Sequence, residues 1–175
     1  LGRRLVEWRS TGYMAVDGIV FDVGSITADA LDKIQCGQLA AHAGRTDEQA
    51  NGNGSLMRVL PLALWHSGTD EALIRDACRQ SRVTHGTVRA QLCCALYCLW
   101  VRAELMHVRD TWGYAVAVVR GEIASWPGEW TEELEENIRP DDAPYGGGTG
   151  YVVDTLHSAR LAATEPSFER AVRRA

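Results

Sequence analysis

The stretch that decides the fold is Thr87–Met106, TVRAQLCCALYCLWVRAELM. Its apolar residues recur at the three- and four-residue spacing of one helix face, and no proline or glycine interrupts the run. The residues that carry this spacing are Val88, Leu92, Ala95, Leu96 and Leu99. The pattern therefore predicts a long helix in the core of the protein.

Most of the remaining chain also has helical patterns. Thr69 is an N-cap candidate for residues 69–81, because acidic residues fill the turn that follows it. Further helices are predicted over 27–43, with Thr27 as the cap, and over 110–124 and 151–164. Strand signals are sparse, since GIVFDVG at 18–24 alternates only weakly and one strand makes no sheet. The sequence thus predicts a single all-α domain over residues 1–175.

Composition and charge exclude several classes of protein. The chain is 46% hydrophobic and carries a net charge of -5, with its charged residues scattered rather than gathered in a basic stripe. This pattern disfavours nucleic acid as a partner. The N-terminal residues lack the apolar core of a signal peptide, and no apolar run reaches membrane-spanning length. We expect a cytoplasmic, monomeric protein with no membrane contact.

The five cysteines are odd in number and lack paired Cys-x-x-Cys spacing. Neither a zinc site nor a disulfide framework is therefore favoured. Cys94 and Cys98 are four residues apart on the predicted core helix, so they could present two thiols on one face. Buried, unreactive thiols are the alternative that we favour, because free cysteine is among the most buried residue types.

Two glycine-rich loops lead into predicted helices: NGNGS at 51–55 and GGGTG at 146–150. Backbone N–H groups at the start of a helix suit phosphate oxygens, so both loops are candidates for binding a diphosphate. Neither loop matches a Walker A or a dinucleotide fingerprint. The alternative is that both are simple turns, since Asn and Gly tolerate positive φ.

His85 lies in the break between two predicted helices, where Thr84 is a candidate cap for the second. A histidine there could donate to a phosphate, stack on a sugar or base, or transfer a proton. The alternative is an interhelical histidine whose hydrogen bonds are satisfied within the protein.

Among the acidic residues, Asp141-Asp142 could bind Mg²⁺, and the glutamates at 132–136 fit a solvated helix face. No complete metal site is visible in the sequence.

Three motifs in a fixed order carry a family resemblance: NGNGSLMRVLPLALW at 51–65, SRVTHGT at 81–87 and GTGYVVDTLHSA at 148–159. Together with RLVEWRSTGY near the start and SFERAVRRA at the end, they resemble the ADP-ribosylglycohydrolase family. This family includes enzymes that remove ADP-ribose from modified proteins. The resemblance covers nearly the whole chain.

The resemblance implies an all-α fold of roughly orthogonal packed helices and an ADP-ribose cleft near two Mg²⁺ or Mn²⁺ ions. It implies a hydrolase that acts on an ADP-ribosylated protein or an ADP-ribosyl small molecule, with the linkage left open. It also implies a set of substrate-binding residues: Asn51, Asn53, Gly54, Ser55, His85, Gly148, Thr149, Gly150 and Tyr151.

The sequence departs from the family in its acidic motifs. The family's metal ligands come from a Thr-Asp-Asp-Thr type motif and a Gly-Asp-x-Asp-Thr type motif, and this chain contains neither. We therefore expect a domain that lacks terminal helices at both ends and shows little or no activity alone. The alternatives are a non-catalytic ADP-ribose-binding module and a helical interaction domain whose glycine loops are only turns.

Overall fold

A computed structural model describes residues 1–174, so Ala175, the last residue of the predicted domain, lies outside the described part. The described chain is all-α, as predicted. Its helices are α1 (Gly2–Thr11), α2 (Ser25–Gln35), α3 (Gly54–Met57), α4 (Leu60–Trp65), α5 (Asp70–Arg82), α6 (Val88–Leu105), α7 (Thr111–Ile123), α8 (Gly128–Glu132), α9 (Val152–Ala163) and α10 (Phe168–Arg174). A π-helical turn over Glu133–Ile138 extends α8, and single 3₁₀ turns occur at Val16–Gly18, Ala40–His42 and Glu48–Ala50.

Helix α6 forms the centre of the core, which confirms the prediction for Thr87–Met106. Thr87 is its N-cap, and the Thr87 hydroxyl accepts the Ala90 N–H at 3.2 Å. The helix is apolar around most of its circumference, so it must be covered on several sides. Helices α3, α4, α5, α7, α8 and α9 all pack against it.

Two of the helices that pack on α6 begin at side-chain caps, of which Thr69 was predicted and Asp110 was not. Thr69 accepts the Ala72 N–H at 3.3 Å and starts α5, and Asp110 accepts the Gly113 N–H at 2.9 Å and starts α7. The buried face of α5 is apolar except for Ser81 at its end, and its apolar residues are Leu73, Ile74, Ala77 and Cys78. Local side-chain bonds therefore set where these helices begin, and burial of one face holds them in place.

The predicted helix over 27–43 is wrong at both ends. Helix α2 begins at Ser25, and Thr27 lies in its first turn instead of capping it. It ends before Gly37, whose φ of 97° is left-handed backbone that favours glycine. The Gln38 N–H then donates to the Lys33 carbonyl at 2.9 Å, which closes the helix with a reversed turn. The glycine thus divides one apolar pattern into a helix and a separate 3₁₀ turn.

No sheet forms within residues 1–174, and GIVFDVG forms no strand there. Two isolated bridges occur instead, one between Arg45 and His85 and one between Gly52 and Tyr151. Each bridge joins loops that are far apart in sequence. The two bridges thereby hold together loops that connect different helices.

The cysteines are all free; Cys36 is exposed, and the prediction of buried thiols is confirmed for the other four, Cys78, Cys93, Cys94 and Cys98. Burial raises the pKa of each of these thiols, so the reactive thiolate is disfavoured.

In the part of the chain that the structure describes, no helix combines the length and apolarity needed to cross a membrane.

Candidate functional site

A cavity of about 570 Å³ opens between α1, the segment leading into α2, the Asn-Gly loop and the turn between α5 and α6. This volume lies within the range of small-molecule sites. Its lining combines apolar, backbone and polar groups: Leu5, Trp8, Asp22, Val23, Gly24, Ser25, Ile26, Thr27, Gly52, Asn53, Gly54, Met57, Arg58 and His85. Several of the predicted site residues therefore share one concave surface.

The two predicted glycine loops are joined by backbone hydrogen bonds. The Asn53 N–H donates to the Gly150 carbonyl at 2.9 Å, and the Val152 N–H donates to the Asn51 carbonyl at 2.9 Å. The Asn53 side-chain amide also donates to the Thr155 hydroxyl at 2.9 Å. The Asn-Gly loop is therefore fixed against the N-terminus of α9, although these segments are about a hundred residues apart.

Asp154, in the first turn of α9, holds the second glycine loop in place. Its carboxylate accepts the Gly147 N–H at 2.7 Å and both the N–H and the hydroxyl of Thr149, at 2.6 and 2.7 Å. These hydrogen bonds lower the pKa of Asp154. Gly148 lies between the two anchors with a φ of 66°, which favours glycine. Thr149 and Gly148 thus shape the loop that supports the cavity wall.

The glycines of the Asn-Gly loop make room for His85. A Cβ atom built on Gly54 would lie 2.9 Å from His85 Cε1 and 3.3 Å from Nε2, and one built on Gly52 would lie 3.5 Å from Nε2. Real side chains almost never approach as closely as 2.9 Å. The absence of a side chain at Gly54 therefore lets the imidazole reach the cavity edge, where it is only 2% exposed.

Thr84 does not cap α6, which is the role the sequence predicted for it; Thr87 has that role instead. The Thr84 hydroxyl is fully buried and lies 2.8 Å from His85 Nδ1. It also accepts a hydrogen bond from Arg58 Nη1 at 2.6 Å. Thr84 is unavailable as a cap because its hydroxyl links two side chains of the site.

Burial and the nearby Arg58 charge lower the pKa of His85 to about 4. The ring is therefore neutral at physiological pH. A base with so low a pKa is poorly matched to proton abstraction near pH 7, so the structure favours hydrogen-bond donation over proton transfer for this histidine.

Arg58, which sequence analysis missed, lines the cavity beneath the Asn-Gly loop. Its Nε donates to Gln80 Oε1 at 3.1 Å and its Nη2 to the Gln80 carbonyl at 2.8 Å. No acidic side chain within residues 1–174 forms an ion pair with it. Burial lowers its pKa to about 10, so the guanidinium stays charged at neutral pH. The sequence did offer one signal for Arg58, since it is a charged residue within the apolar run that follows the glycine loop at 51–55.

The segment Asp22–Thr27 is the second feature that sequence analysis missed, because its first three residues belonged to the weakly alternating stretch 18–24 and Thr27 was predicted only as a helix cap. All six of its residues line the cavity. The Thr27 hydroxyl would lie 3.3 Å from a Cβ built on Gly54, so this segment and the Asn-Gly loop are in close contact. The sequence feature that could have indicated this wall is the Gly24-Ser25 pair at the start of α2.

The other predicted site residues lie around the cavity rather than at its centre. Ser55 is fully buried and its hydroxyl accepts that of Ser81 at 2.9 Å. Asn51 is 7% exposed; its amide nitrogen donates to the Glu48 carbonyl, and its Oδ1 has no partner among residues 1–174. Asn51, Gly150 and Tyr151 line a smaller neighbouring cavity of about 300 Å³, which shares Ile26 and Gly52 with the first.

The described residues do not provide a metal centre. Within residues 1–174, no three His, Cys, Asp or Glu side chains lie together in a way that could hold an ion. Asp141 instead pairs with Arg120 at 2.5 Å, and Asp142 pairs with Arg139 at 2.8 Å. The two ions implied by the family resemblance therefore find no matching ligand set in this part of the chain.

Comparison with known proteins agrees with the motifs. The family model described as ADP-ribosylglycohydrolase matches residues 1–175. The ADP-ribosylarginine hydrolase Tri1 of Pseudomonas putida (strain GB-1) is 31% identical over 161 residues, which cover 89% of this chain and 40% of that protein. The ADP-ribosylarginine hydrolase Tri1 of Serratia proteamaculans (strain 568) is 25% identical over 164 residues, covering 91% and 42%.

The chain thus spans about two fifths of the length of these curated relatives. The family match, in contrast, runs through every segment that lines the cavity, from α1 to the turn before α6, and through α9, which supports the Asn-Gly loop. The chain belongs to the ADP-ribosylglycohydrolase family.

Proposed function

We propose that the protein is a hydrolase of ADP-ribosyl groups and that this chain forms the wall that binds ADP-ribose. The arginine linkage is the first substrate to test, because the relatives are named for it. The observation that carries the proposal is the cavity itself. Its edge presents a neutral imidazole packed against glycines, and its lining includes the half-buried Arg58 guanidinium, which has no acidic partner among the described residues.

The chemistry of the lining suits a nucleoside diphosphate. Gly24, where a Cβ would meet nothing within 4 Å, allows the backbone to approach diphosphate oxygens closely, and the half-buried Arg58 charge makes the cavity attractive to anions. Trp8 offers an aromatic face on which a base can stack. The apolar remainder of the lining, including Leu5 and Ile26, reduces the contact of the bound ligand with water.

The residues suggested by the family resemblance take different roles in this proposal. Asn53, Gly54 and His85 contact the ligand directly, and Asn51, Gly150 and Tyr151 do so from the neighbouring cavity. Ser55, Gly148 and Thr149 support the two loops from behind through their hydrogen bonds and backbone geometry. In this arrangement the chain binds and orients the ligand, and no proton transfer is assigned to it.

Two Mg²⁺ or Mn²⁺ ions remain an expectation for the reaction of the family. Because residues 1–174 offer no group of ligands that fits them, we derive no catalytic step through metal ions. That this chain alone shows little or no turnover likewise stays a prediction. Binding and turnover are therefore tested separately.

Isothermal titration of the purified chain with ADP-ribose tests the binding proposal, with ADP and ribose 5-phosphate as partial ligands. We expect ADP-ribose to bind, and we expect Asn53→Ala to weaken binding because it frees the loop from Thr155. Gly121→Ala is the matched control, because a Cβ at Gly121 would meet nothing within 4 Å. An absence of ADP-ribose binding to the folded chain would contradict the proposal.

Turnover is tested by incubating the chain with ADP-ribosylarginine in the presence of Mg²⁺, of Mn²⁺ or of a chelator. The released ADP-ribose is then measured by chromatography. Turnover by this chain would contradict the prediction of inactivity and leave the binding proposal intact. Binding of ADP-ribose without turnover of ADP-ribosylarginine would agree with both the binding proposal and the prediction of inactivity.

A further inference from the structure

We infer that Arg58 is a positioning residue that acts through Thr84 to fix the tautomer of His85, so that His85 Nε2–H points into the cavity as a hydrogen-bond donor. The inference concerns how the site selects its ligand, and in that respect it rests on the proposed function. Its first part, the tautomer, can be measured without any ligand.

The positions of the hydrogens follow from the chemistry of three groups. A guanidinium has only donors, so Arg58 Nη1 must donate to Thr84 Oγ1 across their 2.6 Å contact. The Thr84 hydroxyl has one hydrogen of its own, and the acceptor nearest to it is His85 Nδ1 at 2.8 Å. Because Nδ1 accepts this hydrogen, the neutral imidazole carries its own hydrogen on Nε2.

The opposite arrangement leaves a polar hydrogen unsatisfied. If His85 Nδ1 carried the hydrogen, Thr84 Oγ1 would accept twice, and its own hydrogen would have no partner. Thr84 is 0% exposed, so no bulk water is available to it. A buried donor without an acceptor is strongly disfavoured, which selects the tautomer with hydrogen on Nε2.

Arg58 is itself held too firmly to rearrange. Its other nitrogens donate to Gln80 Oε1 and to the Gln80 carbonyl, both on α5. All three of its contacts therefore lie on α5 or on the turn that follows it. The guanidinium connects the Asn-Gly loop to the His85 turn and sets the direction of the hydrogen bonds between them.

His85 Nε2 has no hydrogen-bond partner within the described residues, and it lies at the cavity edge beside Gly52 and Gly54. A fixed donor that lacks an acceptor selects a ligand oxygen, and phosphate oxygens are the strongest acceptors that ADP-ribose offers. His157 shows the contrasting case. Its Nδ1 faces Arg160 Nη1 at 3.0 Å, and its Nε2 donates to the Ile138 carbonyl at 2.9 Å, so it has no free donor.

The test is ¹⁵N NMR of the histidine rings in the intact chain, with titrations of ADP-ribose. In the unmodified protein we expect His85 to show a protonated Nε2 and an unprotonated Nδ1, and we expect Nε2 to shift when ADP-ribose binds. His157 should show the same tautomer and no response to ligand. A protonated Nδ1 on His85 would overturn the inference, and this measurement needs no variant.

Thr84→Val and Thr84→Ser separate positioning from packing. The valine variant removes the hydroxyl at similar volume, so we expect a mixture of His85 tautomers and about a tenfold or greater rise in Kd for ADP-ribose. The serine variant retains the hydroxyl and should restore both properties. Arg58→Met should also mix the tautomers, since the Thr84 hydrogen is then free to turn.

The outcomes distinguish this inference from the proposed function. If ADP-ribose fails to bind but the tautomer shifts in Thr84→Val, the positioning role stands and the proposed ligand is wrong. If ADP-ribose binds and neither the tautomer nor the Kd changes in Thr84→Val, the positioning role is wrong and the proposed function stands.

Discussion

Adding a single methyl group at Gly54 is a direct test of the site geometry. In Gly54→Ala the new Cβ would lie 2.9 Å from His85 Cε1, 3.3 Å from His85 Nε2 and 3.3 Å from Thr27 Oγ1. His85 cannot simply turn away, because its Nδ1 is bonded to the buried Thr84 hydroxyl at 2.8 Å. Either the loop or the ring must move.

Overpacking of this kind costs about 1–3 kcal/mol of unfolding free energy. For a chain of this size each kcal/mol lowers Tm by about 2–4 °C, so we expect a fall of about 2–12 °C in a thermal melt. The same displacement should weaken ADP-ribose binding measured by titration calorimetry, because the methyl group stands between the ring and the ligand.

Gly121→Ala makes the same chemical change within α7, where a Cβ would meet nothing within 4 Å. There the substitution should stabilise the protein by about 0.5–1 kcal/mol, the usual helical preference for alanine. If Gly54→Ala melts at or above the temperature of the unmodified protein and binds ADP-ribose equally well, the close approach of His85 to the loop is refuted.

Three further predictions concern stability. The unfolded chain protonates His85 near pH 6.5 and the folded protein only near pH 4, so stability should fall by up to about 3 kcal/mol as the pH drops through that window. Urea titrations at pH 7 and pH 4.5 check this, and His85→Gln should flatten the dependence. Asp154→Asn should cost about 1–3 kcal/mol and speed amide exchange at Gly147 and Thr149, because an amide cannot accept all three hydrogen bonds; unchanged exchange would contradict the anchoring role. Leu96→Ala, at a fully buried position of α6, should cost about 2–5 kcal/mol in the same titrations, and a smaller loss would mean that the core can collapse around it.

The helices could be predicted from the sequence wherever their signals are local. Thr69 and Asp110 cap helices through bonds to residues three positions away, and the spacing of Leu92, Leu96 and Leu99 needs only the geometry of one helix. The end of α2 is also local, but one glycine at positive φ outweighed an otherwise continuous pattern. The apolar spacing on which the prediction rested does not show that Gly37 ends the helix.

The candidate site could be predicted only in part, because its contacts cross the whole chain. The family resemblance implied that the Asn-Gly loop and the Thr-His pair line one cleft. Thr84, however, was assigned to the nearest helix, whereas its hydroxyl contacts Arg58, 26 residues away. Asp22–Thr27 has no periodicity that indicates a cavity wall. Such roles are set by tertiary contacts that sequence spacing does not encode.

The joining of the Asn-Gly loop to the start of α9 also affects the order in which the protein can form. The Asn53 side chain bonds to Thr155, 102 residues later, and the backbone pairing of Gly52 with Tyr151 has nearly the same separation. Contacts between residues so far apart in sequence form slowly, because the entropy cost of closing a long loop must be met before the contacts contribute any stabilising free energy. During synthesis the core helix α6 leaves the ribosome before Tyr151 does. The nascent chain can therefore pack α3, α4 and α5 against α6 early, but it cannot complete the core or the ligand-binding wall until α9 has emerged.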